Sequence, residues 1–280
     1  MRPPPPSVSR RRGEARASVT FAVIASAVLY TVFLWWFSTG AILWLDRLPR
    51  RTYRWSLIAA TAVALASLYG LWISRGDATP AGALCAFSCA VGVWAWHEVS
   101  FLMGLITGPR TSRCPPEAKG WRRFVLASAT LIYHEAALFL TALALMVLVW
   151  GSPNEVGGWT FAILLACRLS AKLNIFLGVP NFTEEFFPDH LRYLTSYLRK
   201  SPTNALFPVS ISAGAALAGT QAWSALEPSA SLFAIAGAAL LFSLTALALL
   251  EHAFMVLPLP DAALWRWAVP AGPKDPKTTP

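Results

Sequence analysis

Seven long apolar runs, separated by short polar stretches, leave this chain few ways to fold. They lie at about 19–43, 55–74, 81–106, 123–150, 157–177, 206–226 and 230–257. Each is close to the ~20 residues a helix needs to cross ~30 Å of hydrocarbon. Of the 280 residues, 56% are hydrophobic and only 13% are charged, against roughly 25% charged in soluble domains. Lipid cannot satisfy an open backbone, so the runs read as helices. The expected fold is all-α: a polytopic membrane bundle of about seven transmembrane helices over 19–258. A Pro- and Arg-rich disordered tail is expected at 1–18 and a cytoplasmic tail at 259–280. The first run is too long for a signal peptide, and no small-residue cleavage site follows it.

Basic residues alternate between the connecting segments. Segment 46–54 holds four arginines, 107–123 holds five Lys or Arg, and 178–205 and the end after 257 hold three each. The intervening loops 75–80, 151–156 and 227–229 contain Arg75 alone. The positive-inside rule places the first set in the cytoplasm. Seven helices then put the N-terminus in the periplasm and the C-terminus in the cytoplasm of a bacterial inner membrane. The five arginines of the first sixteen residues argue the other way and are outvoted. The +9 net charge is accounted for by loops facing anionic lipid, with no need of nucleic acid.

Three of the four histidines adjoin a glutamate inside apolar sequence: His97–Glu98, His134–Glu135 and Glu251–His252. Arg168, Lys172 and Asn174 interrupt the fifth run. Counting ~1.5 Å per residue, all of these fall roughly 8–20 Å below one surface of a seven-helix bundle. Ionisable groups inside a membrane seldom face lipid and usually pair with one another. Three carboxylates (Glu98, Glu135, Glu251) oppose two cations (Arg168, Lys172), which points to one buried polar cluster joining four helices.

That cluster reads first as structural glue. His97, His134 and His252 are also candidate ligands to a magnesium-centred tetrapyrrole or a haem iron, because imidazole serves both. The alternative is an intramembrane metal-dependent enzyme acting on a tetrapyrrole, carotenoid or quinone. The sequence leans away from it: HExxH is absent, as is the Glu-x-x-His of di-iron bundles. No phosphate-binding loop, Rossmann fingerprint or nucleophile elbow occurs. The four cysteines form no CxxC pair and read as packing residues.

"FFPDHLRYLTSYLRK" (186–200) places Leu191, Leu194 and Leu198 on one face, and so reads as an amphipathic helix on the cytoplasmic surface. Glu184, Glu185, Asp189 and His190, before or at its start, read first as solvated charge and second as a lid over the cluster. Most of the thirteen tryptophans fall near run ends, as interfacial belts require. Trp94 and Trp96 lie deeper, beside His97. The small-residue stretch "SISAGAALAGT" (210–220) allows close helix contact.

Several longer stretches are idiosyncratic: "WWFSTGAILWLDRLPRRTYRWS" (35–56), "WHEVSFLMGLITGPR" (96–110), "GWRRF" (120–124), "LIYHE" (131–135) and "RLSAKLNIFLGVPNFTEEFFPDHLRYLTSYL" (168–198). In these the chain resembles the PuhE-type photosynthetic complex assembly proteins, encoded beside the reaction-centre H subunit in purple bacteria and relatives. The resemblance covers roughly 30–258. It implies an inner-membrane factor that supports assembly of the reaction-centre and light-harvesting core and modulates bacteriochlorophyll production. Core subunits and other assembly factors would be its partners, and bacteriochlorophyll or a related tetrapyrrole a possible ligand. It carries no catalytic residues across.

Overall fold

The computed structural model describes residues 8–182, 187–258 and 261–268. Eight α-helices form its frame: α1 Val8–Asp46, α2 Tyr53–Ser74, α3 Pro80–Leu102, α4 Gly120–Ser128, α5 Ile132–Val149, α6 Val156–Leu177, α7 Leu206–Leu226 and α8 Leu232–Phe254. No strand occurs among the described residues; one isolated parallel bridge joins Val179 to Lys200. Two helix starts follow familiar capping chemistry. Thr79 accepts the Gly82 amide at 3.1 Å ahead of Pro80, and Ser231 accepts the Ala234 amide at 3.1 Å.

α3 and α8 are the central helices. α3 packs on α1, α2, α5, α6 and α8, and α8 packs on α1, α3, α6 and α7. Over their most apolar stretch, 56% of α3 and 50% of α8 are buried within the protein, against 11% of α1. The core is built of Ala83, Ala86, Phe87 and Ala90 of α3 against Phe161 of α6 and Leu240 of α8. Small residues on α3 bring the axes close, where dispersion rather than the hydrophobic effect drives association in lipid. Large side chains such as Phe21, Leu29, Leu65, Phe139, Leu140 and Val147 point outward.

Six helices are long and apolar enough to cross a membrane, which makes this a multi-pass membrane-type bundle. α7 is not among them, because Gln221 and its Ser, Thr and Gly residues dilute its apolar character. It nevertheless runs the full length of the bundle. Near its start Asn204 donates to the Asn174 and Gly178 carbonyls at 3.2 and 2.9 Å; further along, Gly214 abuts Leu249 of α8.

The connections sort onto two ends. At one, Asn154 donates to the carbonyls of Ser74 (3.0 Å) and Asp77 (3.2 Å), and Arg16 to that of Ala230 (3.2 Å). At the other, rich in arginine, Arg123 donates to the Phe176 carbonyl (3.0 Å), Asn181 to that of Leu257 (2.9 Å) and Trp36 to that of Leu264 (2.9 Å).

Four boundaries differ from the sequence reading. The α1 backbone is already helical at Val8, so it takes in much of the stretch expected as a disordered tail. Part of the segment after 258 folds back: Trp265 packs on Leu43 and Trp35, and its indole donates to the Trp36 carbonyl at 3.0 Å. The expected helix at 186–200 is a 3-10 segment, Asp189–Tyr197. Its Leu191 and Leu194 are buried against Phe101, so its apolar face meets the bundle end rather than lipid.

The fourth difference matters most. The continuous run 123–150 is broken between α4 and α5. The loop after α3 inserts there, and the Thr107 carbonyl accepts both the Tyr133 (3.0 Å) and His134 (3.1 Å) amides. It thereby satisfies first-turn donors that a helix cannot bond internally. The Arg110 amide bonds the Ala129 carbonyl at 3.1 Å. α5 therefore starts within the bundle, with His134 and Glu135 in its first turn.

Candidate functional site

The polar residues meet in the arginine-rich half, in two groups set by the register of α6. Arg168 and Lys172, four residues apart, share the face that carries the fully buried Phe161 one heptad earlier. Ser170 and Asn174, also four apart, lie on the opposite side. The first pair looks toward α3 and α5, the second toward α7 and α8.

On the α3–α5 side, Arg168 Nη2 donates to Glu98 Oε2 at 3.2 Å. Lys172 Nζ pairs with Glu135 Oε1. Glu98 is 7% exposed and lies within electrostatic reach of Arg168, Lys172, His134 and His97. Its Oε1 has no hydrogen-bond partner. His134 is 1% exposed, with its ring 4.5 Å from that of Phe101. Neither of its ring nitrogens is bonded. His97 Nε2 lies 3.0 Å from Thr141 Oγ1 of α5, and its Nδ1 is buried without a partner. Trp96 and Phe161 pack edge-on against the His97 ring, at 5.0 and 6.0 Å. Two ion pairs thus close the gaps between α6 and its neighbours α3 and α5.

On the α7–α8 side, His252 Nδ1 is 2.8 Å from the Ala248 carbonyl, and Nε2 is 2.9 Å from Ser170 Oγ. A carbonyl can only accept, so Nδ1 carries a proton, and Nε2 is within hydrogen-bonding distance of the Ser170 hydroxyl. Ser170 and Ser210 hydroxyls are 2.9 Å apart, and Asn174 Nδ2 donates to Ser210 Oγ (2.9 Å) and the Ser170 carbonyl (3.0 Å). His252 is thus a satisfied core histidine that ties α8 to α6 and, through Ser210, to α7. Glu251, its neighbour, turns to α1 and accepts the Trp35 indole N–H at 2.7 Å. The single cluster expected from the sequence is therefore two networks, with Asn174 and His252 apart from the ion pairs.

The 3-10 segment seats directly over the first network. Leu191 and Leu194 press on Phe101, which stacks on His134. His190 Nε2 donates to the Leu102 carbonyl at 2.8 Å, and burial holds this imidazole below its ordinary value of 6.5 despite that bond. Asp189 is exposed and bonds Arg192 at 3.1 Å. Glu184 and Glu185, the other members of that candidate lid, lie outside the described residues.

A tetrapyrrole needs a histidine nitrogen facing open space. His97, His134 and His252 are 4%, 1% and 5% exposed, and both His252 nitrogens are engaged. As folded, none of the three expected ligands offers a nitrogen that a macrocycle can reach, so the residues do not fit axial ligation. Among the described residues, no three His, Cys, Asp or Glu side chains converge as a metal set. Sequence reasoning missed Trp35, Thr141, Ser170 and Ser210. Hydroxyl groups at the depth of the charges were the available signal for the last three.

The comparisons agree with the resemblance at a coarser level. A family model described as "Protein of unknown function (DUF3623)" matches residues 21–276. A Rhodobacter capsulatus protein, described as an uncharacterized 30.4 kDa protein in the puhA 5′ region, is 43% identical over 248 residues, covering 87% of this chain and 90% of its own length. No solved structure matches. On that coverage, the chain belongs to the DUF3623 family.

Proposed function

We propose that this protein is a multi-pass factor of the bacterial photosynthetic inner membrane that assists assembly of the reaction-centre and light-harvesting core and modulates bacteriochlorophyll production. The observation that carries the reading is the relative in the puhA 5′ region, similar along nearly its whole length. It supports the PuhE-type resemblance, whose members lie beside the gene of the reaction-centre H subunit. Near-complete coverage also makes a shared architecture the simplest account. In this reading α7 crosses the membrane with the six more apolar helices. The N-terminus is then periplasmic, and the arginine-rich end and the C-terminus are cytoplasmic. The two ion pairs act as a lock that keeps α3, α5 and α6 in fixed register, giving core subunits a rigid surface to assemble against.

The test is complementation. A purple bacterium deleted for the puhA-linked relative is grown with and without this chain, and near-infrared absorption of its membranes is recorded. Restoration of the reaction-centre and light-harvesting core bands is expected, together with co-purification of a core subunit on a tagged chain. Full core bands in the deletion strain without any complementing gene would overturn the reading.

A further inference from the structure

A cavity of ≈ 820 Å³ opens at the arginine-rich end, where the end of α1, the turn into α2 and the start of the 3-10 segment meet. Small-molecule sites span about 300–1,000 Å³. Trp44, Asp46, Arg50, Tyr53, His190 and Arg192 are among its lining residues. One of them is incomplete. Asp46 is 6% exposed, and its Oδ1 is buried with no hydrogen-bond partner. The large majority of buried polar side-chain atoms have a partner, and a buried carboxylate without one is costly. The Tyr53 hydroxyl does not supply it, because it donates to the Asp46 backbone carbonyl at 2.8 Å. Arg47 lies within electrostatic reach of the carboxylate yet sends no N–H to Oδ1. A cationic N–H donor entering the cavity would complete the set.

The rest of the lining favours the opposite charge. Arg50 and Arg192 are exposed, and Arg192 bonds Asp189 through Nε alone, at 3.1 Å. Asp46 and Arg50 both lie within electrostatic reach of Tyr53, so the anionic and cationic parts of the site stand side by side. Asp46 repels a simple anion, and the arginines repel a simple cation. A zwitterion with a phosphate close to a primary ammonium suits both. Guanidinium groups bind phosphate through charge-assisted, often paired hydrogen bonds, and an ammonium brings N–H donors to the carboxylate. Position narrows the source. Trp44 in the last turn of α1 and Trp55 in the first turn of α2 are 51% and 61% exposed, and tryptophans at helix ends mark the level of lipid headgroups. Trp44 itself lines the cavity, so the cavity lies at that level.

We infer that this cavity holds the headgroup of a phospholipid bearing a primary ammonium, phosphatidylethanolamine by its chemistry, with Asp46 taking the ammonium and Arg50 and Arg192 the phosphate. The inference rests on the membrane setting of the bundle and stands apart from the assembly role, because binding is measured on the isolated protein.

The full chain is purified in mild detergent and titrated with phosphatidylethanolamine, phosphatidylcholine and phosphatidylglycerol of identical acyl chains. Bound lipid is counted by native mass spectrometry, and affinity is read from lipid-induced thermal stabilisation. Phosphatidylcholine keeps both charges but has no N–H, and phosphatidylglycerol keeps the phosphate alone. Saturable binding of a single phosphatidylethanolamine per chain is expected, about tenfold tighter than either of the others. Asp46→Asn should bind the three lipids alike. Arg50→Gln should weaken all three while keeping their order. Glycerophosphoethanolamine, the same headgroup without acyl chains, should compete poorly. Should Asp46→Asn fail to fold, the order of the three lipids on the unaltered chain still decides. Equal affinity for all three lipids overturns the proposal, as does tighter binding of phosphatidylglycerol. So do an unchanged order in Asp46→Asn and unchanged affinity in Arg50→Gln. Competition by glycerophosphoethanolamine as strong as that of the lipid would make the occupant a soluble metabolite and overturn it too.

Discussion

Lys172 of α6 donates to Glu135 in the first turn of α5, and this ion pair forms at the level where α5 begins. A carboxylate in that turn is favoured twice, by the ammonium and by the positive end of the helix dipole. The side chains are 22% and 17% exposed, so neither charge is well served by surroundings other than its partner.

Removing one partner should therefore cost more than removing both. Glu135→Ala leaves an ammonium unpaired inside the bundle, at a cost of about 3 kcal/mol. The expected result is a sharp loss of folded protein in the membrane fraction. The pair Glu135→Gln with Lys172→Met should recover most of it. Exchanging the two residues should recover only part, because the ammonium would then sit at a helix N-terminus. Equal yields from the single and double variants would show that the pair is not a lock.

The 3-10 segment should loosen in acid. His190 titrates below its ordinary 6.5 in the folded state because burial disfavours the cation; the Leu102 bond and Asp189 oppose this, and Arg50 adds to it. The unfolded state thus binds the proton more readily. The His190 contribution is intact above 6.5, declines as pH falls through that value toward the folded pKa, and then levels off. Melting temperatures at pH 7.5 and 5.5 check this. The advantage of wild type over His190→Asn should shrink at the lower pH, and a constant difference would remove the titration from the account.

Much of this was legible in the sequence because its physics is local. Lipid demands ~20-residue apolar helices, so the runs marked α2, α6 and α7 to within about two residues, whereas α3 and α8 end about three to four residues before their runs do and α1 begins about eleven residues ahead of its run. Buried charge demands a partner, so Arg168 and Lys172 were readable as members of one polar cluster with Glu98, Glu135 and Glu251, but not which carboxylate each would meet. The break before His134 was not readable, because residues 125–132 contain no Gly or Pro to announce it. It depends on the Thr107 carbonyl and Gly108, which reach it through the fold. Asn174 was grouped with the charges in one expected cluster for a simpler reason. Depth is set by residue number, but side is set by register, and Asn174 lies opposite Arg168 on α6. Trp35 was missed because a tryptophan near a helix end has an interfacial role that accounts for it without Glu251.

The proposed orientation puts the two ends of the bundle on opposite sides of the membrane. Cys114 belongs to the arginine-rich end, where its amide bonds Ser196 Oγ at 2.8 Å, and Ser229 lies at the other end between α7 and α8. In a chain with Cys114 as the sole cysteine, a membrane-impermeant thiol reagent should label inverted vesicles and spare intact spheroplasts. In a cysteine-free chain carrying Ser229→Cys, the pattern should reverse. Opposite patterns for the two positions require that α7 cross the membrane. Matching patterns would leave it on one side.

Gly108 tests the origin of the break itself. A Cβ on this residue would lie 2.3 Å from the Ala129 carbonyl oxygen and 2.6 Å from the Thr130 carbonyl carbon. Both are backbone atoms, so no side-chain rotation can make room. Gly108→Ala should push the loop away from the turn and release the Thr107 carbonyl from the Tyr133 and His134 amides. A cost of about 1–3 kcal/mol is expected, as for other overpacked sites. Gly13 is the control, since nothing lies within 4 Å of a Cβ there. Gly13→Ala should be neutral or gain up to about 1 kcal/mol from helix propensity. Hydrogen exchange of the Tyr133 and His134 amides reports the local effect: faster in Gly108→Ala, unchanged in Gly13→Ala. If both variants protect these amides equally, the inserted loop does not hold the start of α5, and the placement of His134 and Glu135 must come from the ion pair alone.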